Sequence, residues 1–322
     1  MGDDNEAWRR RRLEADSSGQ LRLLVPIIRE LHASALLEIG DAVVGHAGGE
    51  GVALGVVEVP LGHNGDLTAA VVERQREMLR WIAHVDAHAP GLRAALGIQM
   101  RVAHDVALGI REAVYEFGSS LVLMEWPGPT SRRPRLLGRV IDDLSAQPPA
   151  DLALVRPDRT AQRLRDTGRG ILVPVRGGPN ARLAVVIGAA LARLSSGRLT
   201  LLHVYHPLAS PSQRREERME FEALVEGVAS HDPEVVERVS DSAARAILDL
   251  ASGDALIVLG AHADPAGSPT LIRSEIAHTL RRLPGTVVLV RTTGSLVGRP
   301  ASGTPRDPAA GATDDMPTPP SD

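Results

Sequence analysis

Apolar positions along the chain fall into short, nearly continuous runs separated by stretches of helical periodicity. Residues 21–27 (LRLLVPI), 51–59 (GVALGVVEV), 120–124 (SLVLM) and 151–156 (DLALVR) are such runs. Runs of this length that are apolar throughout predict parallel strands covered on both faces, and the 3.6-residue periodicity between them predicts crossover helices. The same order returns later as 170–175 (GILVPV), 198–205 (RLTLLHVY), 255–259 (ALIVL) and 286–291 (TVVLVR). Arg101-Val102 with His104 and Asp105 parallels Arg238-Val239 with Asp241 and Ser242, which places a third strand and the N-cap of a third helix in each copy. Asp66 is positioned to open the long second helix of the first copy. Each copy reads β-α-β-α-β-α-β-α-β, so the expected architecture is α/β, with two tandem open five-stranded parallel sheets flanked by helices.

The expected boundaries follow from the same pattern. Residues 1–20 form a flexible tail containing Arg9, Arg10, Arg11 and Arg12, residues 21–156 the first domain, 157–169 a polar linker and 170–293 the second domain. Residues 294–322 are rich in Pro, Gly, Ser, Thr and Asp and predict disorder. A length of 322 residues fits two domains at the usual ~100–200 each, and 43% apolar content suffices for two packed cores. No apolar stretch approaches the roughly 18–20 residues needed to cross a bilayer, and the run at 23–28 is too short for a signal peptide. These features predict a soluble, cytoplasmic chain with no membrane insertion.

Composition then removes whole classes of chemistry. There is no cysteine, and all 36 basic side chains are arginine, so thiolate nucleophiles, disulfides, a P-loop lysine and a Schiff-base lysine are impossible. A net charge of -4, with three Trp, two Tyr and two Phe, argues against nucleic-acid binding. No HExxH or GxSxG motif is present, and no enzyme is expected. Gly49, Gly51 and Gly55 imitate a dinucleotide fingerprint at the wrong spacing and read as a turn. His84 and His88 stand one helical turn apart near a helix end with no third metal ligand in view, and His262 and Asp264 read as a polar loop tip.

The tandem units, LVP in the first strand, SLVLMEWPG, LLGRVIDDL and DLALVR together resemble the universal stress protein family. The tandem form is similar to cytoplasmic modules associated with amino-acid permeases and cation/proton antiporters. The resemblance covers residues 21–291 and implies the adenine nucleotide alpha hydrolase-like fold, with the two units packed as a pseudo-dimer that brings 151–156 beside 286–291. Nucleotide-binding members carry a glycine, two residues, a glycine, nine residues, a glycine and a Ser or Thr after the fourth strand. That spacing falls on Glu125, Gly128, Gly138 and Arg139 in the first unit and on Gly260, Ala263, Arg273 and Ser274 in the second. Gly128 and Gly138 survive in one unit, Gly260 and Ser274 in the other, so neither motif is intact. Glu125 sets a carboxylate where a glycine would admit phosphate, while Arg132, Arg133, Arg135 and Arg139 could supply an arginine-lined anion site instead. The aspartate that holds adenine in relatives is replaced by Ile28 and by Arg176, and Gly177-Gly178 keeps a flexible turn at the second unit's first strand end. Trp126 is expected to pack against the loop that follows it. The resemblance therefore implies a non-enzymatic cytoplasmic regulator with degenerate nucleotide sites, for which ATP or AMP is admissible and no cofactor is required. Its expected partner is a membrane transporter met in trans, with a homodimer as a further assembly. The alternative is a weak ATP, AMP or cyclic-nucleotide sensor working in one domain.

Overall fold

The computed structural model describes residues 20–28, 32–59, 68–88, 96–126, 139–157, 164–165, 167–251, 256–261, 280, 282–283 and 285–293. Both expected tails and most of the expected linker lie outside them, as does Asp66. Ten strands form one sheet: β1 (Arg22–Ile27), β2 (Glu50–Glu58), β3 (Leu96–Ala103), β4 (Leu121–Glu125), β5 (Asp151–Arg156), β6 (Ile171–Val175), β7 (Leu199–Tyr205), β8 (Glu234–Val239), β9 (Leu256–Gly260) and β10 (Val287–Arg291). Their spatial order is β3-β2-β1-β4-β5-β10-β9-β6-β7-β8. The two expected five-stranded sheets are the halves of this single sheet. Pairs within each half are parallel, and only β5 and β10 run antiparallel.

Seven α-helices are described: α1 (Ala33–Ala47), α2 (Thr68–His88), α3 (Val106–Phe117), α4 (Arg139–Ala146), α5 (Pro179–Ser195), α6 (Pro211–Glu226) and α7 (Ala243–Leu250). Their starts follow local chemistry. Asp105 caps α3 by accepting from the amides of Ala107 and Leu108, and Ser242, not Asp241, caps α7 through Arg245 N. Pro211 stands at the first turn of α6 behind a reciprocal Ser210–Gln213 capping box. The expected turn at Gly49, Gly51 and Gly55 is corrected: Gly51 and Gly55 lie inside β2. A β-carbon on Gly55 would stand 2.5 Å from Met78 Sδ and 2.6 Å from Met100 Sδ, so that glycine admits the methionines of α2 and β3 against the strand.

A proline in each of two interior strands shapes the sheet. The Ser120 amide donates to Arg22 O, so Arg22, Leu24 and Pro26 turn their backbone polar groups toward β4. Register between β1 and β4 ends at Leu24↔Val122, and Pro26, two residues on, has no N–H to continue it. The second half repeats the device: Leu256 N donates to Gly170 O, pairing ends at Leu172↔Ile257, and Pro174 follows. Each half therefore splits at the carboxyl edge where the strand order reverses, the position at which open α/β sheets form crevices.

At the junction β5 and β10 pair in the register Leu152↔Arg291 through Arg156↔Val287, centred on Leu154↔Leu289. Aligned by sequence repeat, Leu154 and Leu289 are counterparts, as are Arg156 and Arg291, so the register maps onto itself when the halves are exchanged. The arginines follow the same rule. Arg156 donates across the junction to the carbonyls of Leu280, Leu283 (2.8 Å) and Gly285 (3.2 Å), and Arg291 donates to Ser145 O at 2.6 Å. Buried Asp151 accepts from Thr293 N (2.6 Å) and from the hydroxyls of Thr292 and Thr293 (each 2.9 Å).

On one face of the sheet α1 and α5 pack against each other across the junction, over a core that includes Leu36, Ile39, Val43, Ile187 and Leu191. The opposite face carries a second core with residues of α3, α4 and the strands, including Ile110, Leu144, Leu154 and Leu289. In the last turn of α1, His46 meets His231 edge-on with ring centroids 5.0 Å apart. Burial first, and then the nearby charges of His231 and Arg193, hold the His46 pKa below its ordinary 6.5. A histidine depressed in the folded state contributes stability that is present above the unfolded pKa and is lost as pH falls toward the folded one. The melting temperature is expected to drop between about pH 7.5 and about pH 5.5. His46→Gln should remove part of that drop; an unchanged profile in the variant would count against this assignment.

Candidate functional site

In the first half, the β1–β4 split is occupied by an acid and a base. Glu125 ends β4 and is buried, and its Oε1 lies 2.9 Å from Nδ1 of His32, the residue preceding α1. Among the described residues the partner that Glu125 meets is thus a histidine. Next to it Trp126 is fully buried, its amide donating to Val155 O at 2.7 Å. Its indole Nε1–H has no hydrogen-bond partner among the described residues. Beside the split, a cavity of about 220 Å³ opens between the ends of β1 and β2 and the start of α3, lined by Pro26, Ile27, Ile28, Leu54, Val56, Glu58 and Val106. Ile28, at the position where relatives are expected to hold adenine with an aspartate, contributes only hydrocarbon to it.

Arg139, expected to close an arginine-lined anion site, does something else. Its Nη2 lies 2.6 Å from Asp105 Oδ2, joining the first turn of α4 to the cap of α3. The Leu108 and Ala107 amides, together with Arg139, hold the Asp105 carboxyl below its ordinary range. A guanidinium already committed to a capping carboxylate is a poor free phosphate ligand. Gly128, Gly138, Arg132, Arg133 and Arg135 lie outside the described residues, and so do Ser274, Arg273, His262 and Asp264. His84 and His88 lie in α2, where no side-chain geometry is described for them.

In the second half Gly260 ends β9, and a β-carbon there would lie 3.2 Å from that of Asn180. Asn180, in the first turn of α5, donates through Nδ2 to Ala261 O (2.6 Å) and accepts at Oδ1 from Thr292 N (2.7 Å). It stitches the ends of β9 and β10 to α5. Gly177 and Gly178 form the loop before α5 with φ of +94° and +79°. A β-carbon on Gly177 would fall 2.1 Å from Glu220 Oε2, so α6 leans the Glu220 carboxylate over this loop. Beneath α6, buried His203 donates from Nδ1 to Val175 O and faces Glu217 across 3.8 Å. The sequence patterns flagged neither His32, Asn180, His203 nor Glu217. A polar His203 inside the apolar strand LTLLHVY was the one available signal. Among the described residues no cluster of three or more acidic or histidine side chains could hold a metal ion, and no helix is long and apolar enough to cross a membrane.

Comparison with known proteins agrees with this geometry. Residues 169–291 match the Universal stress protein family. A search of the curated proteins found no match. Among solved structures, a universal stress protein from Archaeoglobus fulgidus DSM 4304 superposes with a TM-score of 0.54 at 17% identity, covering 85% of this chain and 97% of that one. The cytoplasmic domain of a prokaryotic cation chloride cotransporter superposes with a TM-score of 0.56 at 13% identity, covering 87% of this chain and 99% of that one. At these identities the likeness is one of fold, and it extends over both halves of the sheet. The sequence match is to residues 169–291, and over both halves of the sheet the fold is the one seen in solved universal stress proteins.

Proposed function

We propose that this protein is a non-enzymatic regulatory member of the family, built of two units at residues 21–156 and 170–293 that pack as an internal pseudo-dimer. In this reading its clefts have lost conventional nucleotide binding, and it acts through protein contacts, a membrane transporter in trans being the favoured partner. The observation that carries the reading is the buried Glu125–His32 pair at the first split. A carboxylate fixed at 2.9 Å by an internal base occupies ground that an incoming phosphate would need, and it repels that phosphate. In the second split Asn180 spends its side chain on the ends of β9 and β10, and Glu220 adds negative charge at Gly177. The similarity in fold to a transporter's cytoplasmic domain favours the partner class. Isothermal titration of nucleotide-stripped protein with ATP, AMP and cyclic AMP is expected to give no heat. Saturable binding that is lost on filling the cavity with Leu54→Trp would overturn this reading and establish a nucleotide sensor. That second reading draws its support from the cavity of about 220 Å³ beside β1, whose lining joins aliphatic side chains with the carboxylate of Glu58.

A further inference from the structure

Helix α6 packs on β7 and α5 and reaches the Gly177-Gly178 loop through Glu220, and the contact beneath it contains a chemical requirement. His203 Nδ1 lies 2.9 Å from Val175 O, and a carbonyl only accepts, so Nδ1 carries a hydrogen. The other ring nitrogen, Nε2, faces Glu217 Oε2 at 3.8 Å, beyond hydrogen-bond distance, and both atoms are buried with no hydrogen-bond partner among the described residues. The ring cannot turn away. Phe221 of α6 stacks on it with centroids 5.1 Å apart, and Tyr205 meets it edge-on at 4.3 Å. A bare Nε2 lone pair against the ionised carboxylate oxygen that faces it would be repulsive, because both facing atoms are shielded from water even though the rest of the Glu217 side chain is partly exposed. One proton removes the conflict, either as imidazolium and carboxylate or as imidazole accepting from a carboxylic acid.

We propose that a proton held between His203 and Glu217 latches α6 onto the sheet, and that its loss releases α6 from the Gly177-Gly178 loop. Access to the Gly177-Gly178 loop at the end of β6 is then controlled by protonation, and this control does not depend on the function proposed above. The surrounding groups set the sign. From α6 come Glu217, Glu220 beside Gly177, and Arg218; from β8 comes Glu237, opposite His203 in register and bound by Tyr205 Oη (2.7 Å) and Arg218 (3.3 Å); β7 adds Tyr205 and β6 the Val175 carbonyl. Apart from Glu217 itself, the neighbouring charges are two carboxylates and one guanidinium already paired with Glu237. Closing takes one proton from solvent and opening returns it, so α6 closes toward low pH and opens as pH rises.

The test follows the His203 ring nitrogens and the Glu217 carboxyl carbon by NMR across a pH series, with amide exchange of α6 corrected for intrinsic rates. While α6 is protected, the pair should carry one proton beyond that on Nδ1. As that proton leaves, α6 protection should fall about tenfold or more at the same midpoint. Glu217→Gln supplies a carboxamide donor that does not titrate, so α6 should stay protected throughout. A bare Nε2 facing an ionised Glu217 under a protected α6 would overturn the proposal. So would protection that is indifferent to the proton, or a Glu217→Gln profile that matches the parent.

Discussion

Trp126→Ala is expected to lower stability by about 3–5 kcal/mol, the usual cost of emptying a large buried aromatic site, while Trp126→Phe should cost less than about 1.5 kcal/mol. Trp126 is completely buried where β4 ends, and it belongs to the core that α3 and α4 share with the strands. Its backbone is pinned to β5 through Val155 O, so the site cannot collapse readily once the ring is gone. The contrast between the two substitutions rests on Nε1–H, which is buried without an acceptor among the described residues. An unsatisfied donor of this kind carries a penalty of about 1–3 kcal/mol, which phenylalanine abolishes while keeping most of the packing. Urea unfolding followed by far-UV circular dichroism, with m unchanged, measures both costs. If phenylalanine were as damaging as alanine, the indole N–H would have a partner and its burial would have to be explained by that contact.

Interior strands were legible in the sequence because burial on both faces leaves them almost no polar positions. The runs at 151–156 and 171–175 needed no structure to be found. Edge strands were legible only by analogy. In β8, Glu234, Val235, Val236, Glu237, Arg238 and Val239 are mostly exposed, and the run was placed because Arg238-Val239 echoes Arg101-Val102. The prolines were visible as part of an LVP match, but their role required register: only the backbone direction of Arg22 and Gly170 shows that Pro26 and Pro174 lack their N–H on the side that must open.

The candidate site was legible where it departs from a local motif and illegible where it depends on distant partners. Glu125 stood out because a carboxylate replaces an expected glycine. The histidine that bonds to it lies 93 positions earlier, and nothing in a linear pattern pairs the two. The partner of Arg139 was illegible for the same reason, since Asp105 is 34 positions away and belongs to another helix cap. Asn180 joins elements 81 and 112 positions downstream. Long-range polar pairs of this kind are set by crossover topology, and the topology itself had been read correctly.

The junction between the halves provides the second large effect. Leu154→Ala and Leu289→Ala are each expected to cost about 2–5 kcal/mol, because both side chains are at most 1% exposed and both lie in one core. They face each other at the centre of the β5–β10 register, so the double variant should depart from additivity by about 0.5–3 kcal/mol. The more informative quantity is the number of transitions. Edge strands as apolar as β5 and β10 would be sticky if left open, and pairing them removes both edges while Arg156 and Arg291 tie each half to carbonyls of the other. The parent protein should therefore unfold in one cooperative step, with circular dichroism and calorimetry giving coincident curves. Weakening the Leu154–Leu289 contact should then split the curve, with one half melting before the other. A parent that already melts in two resolved steps would mean that the ten strands share a sheet without sharing their stability.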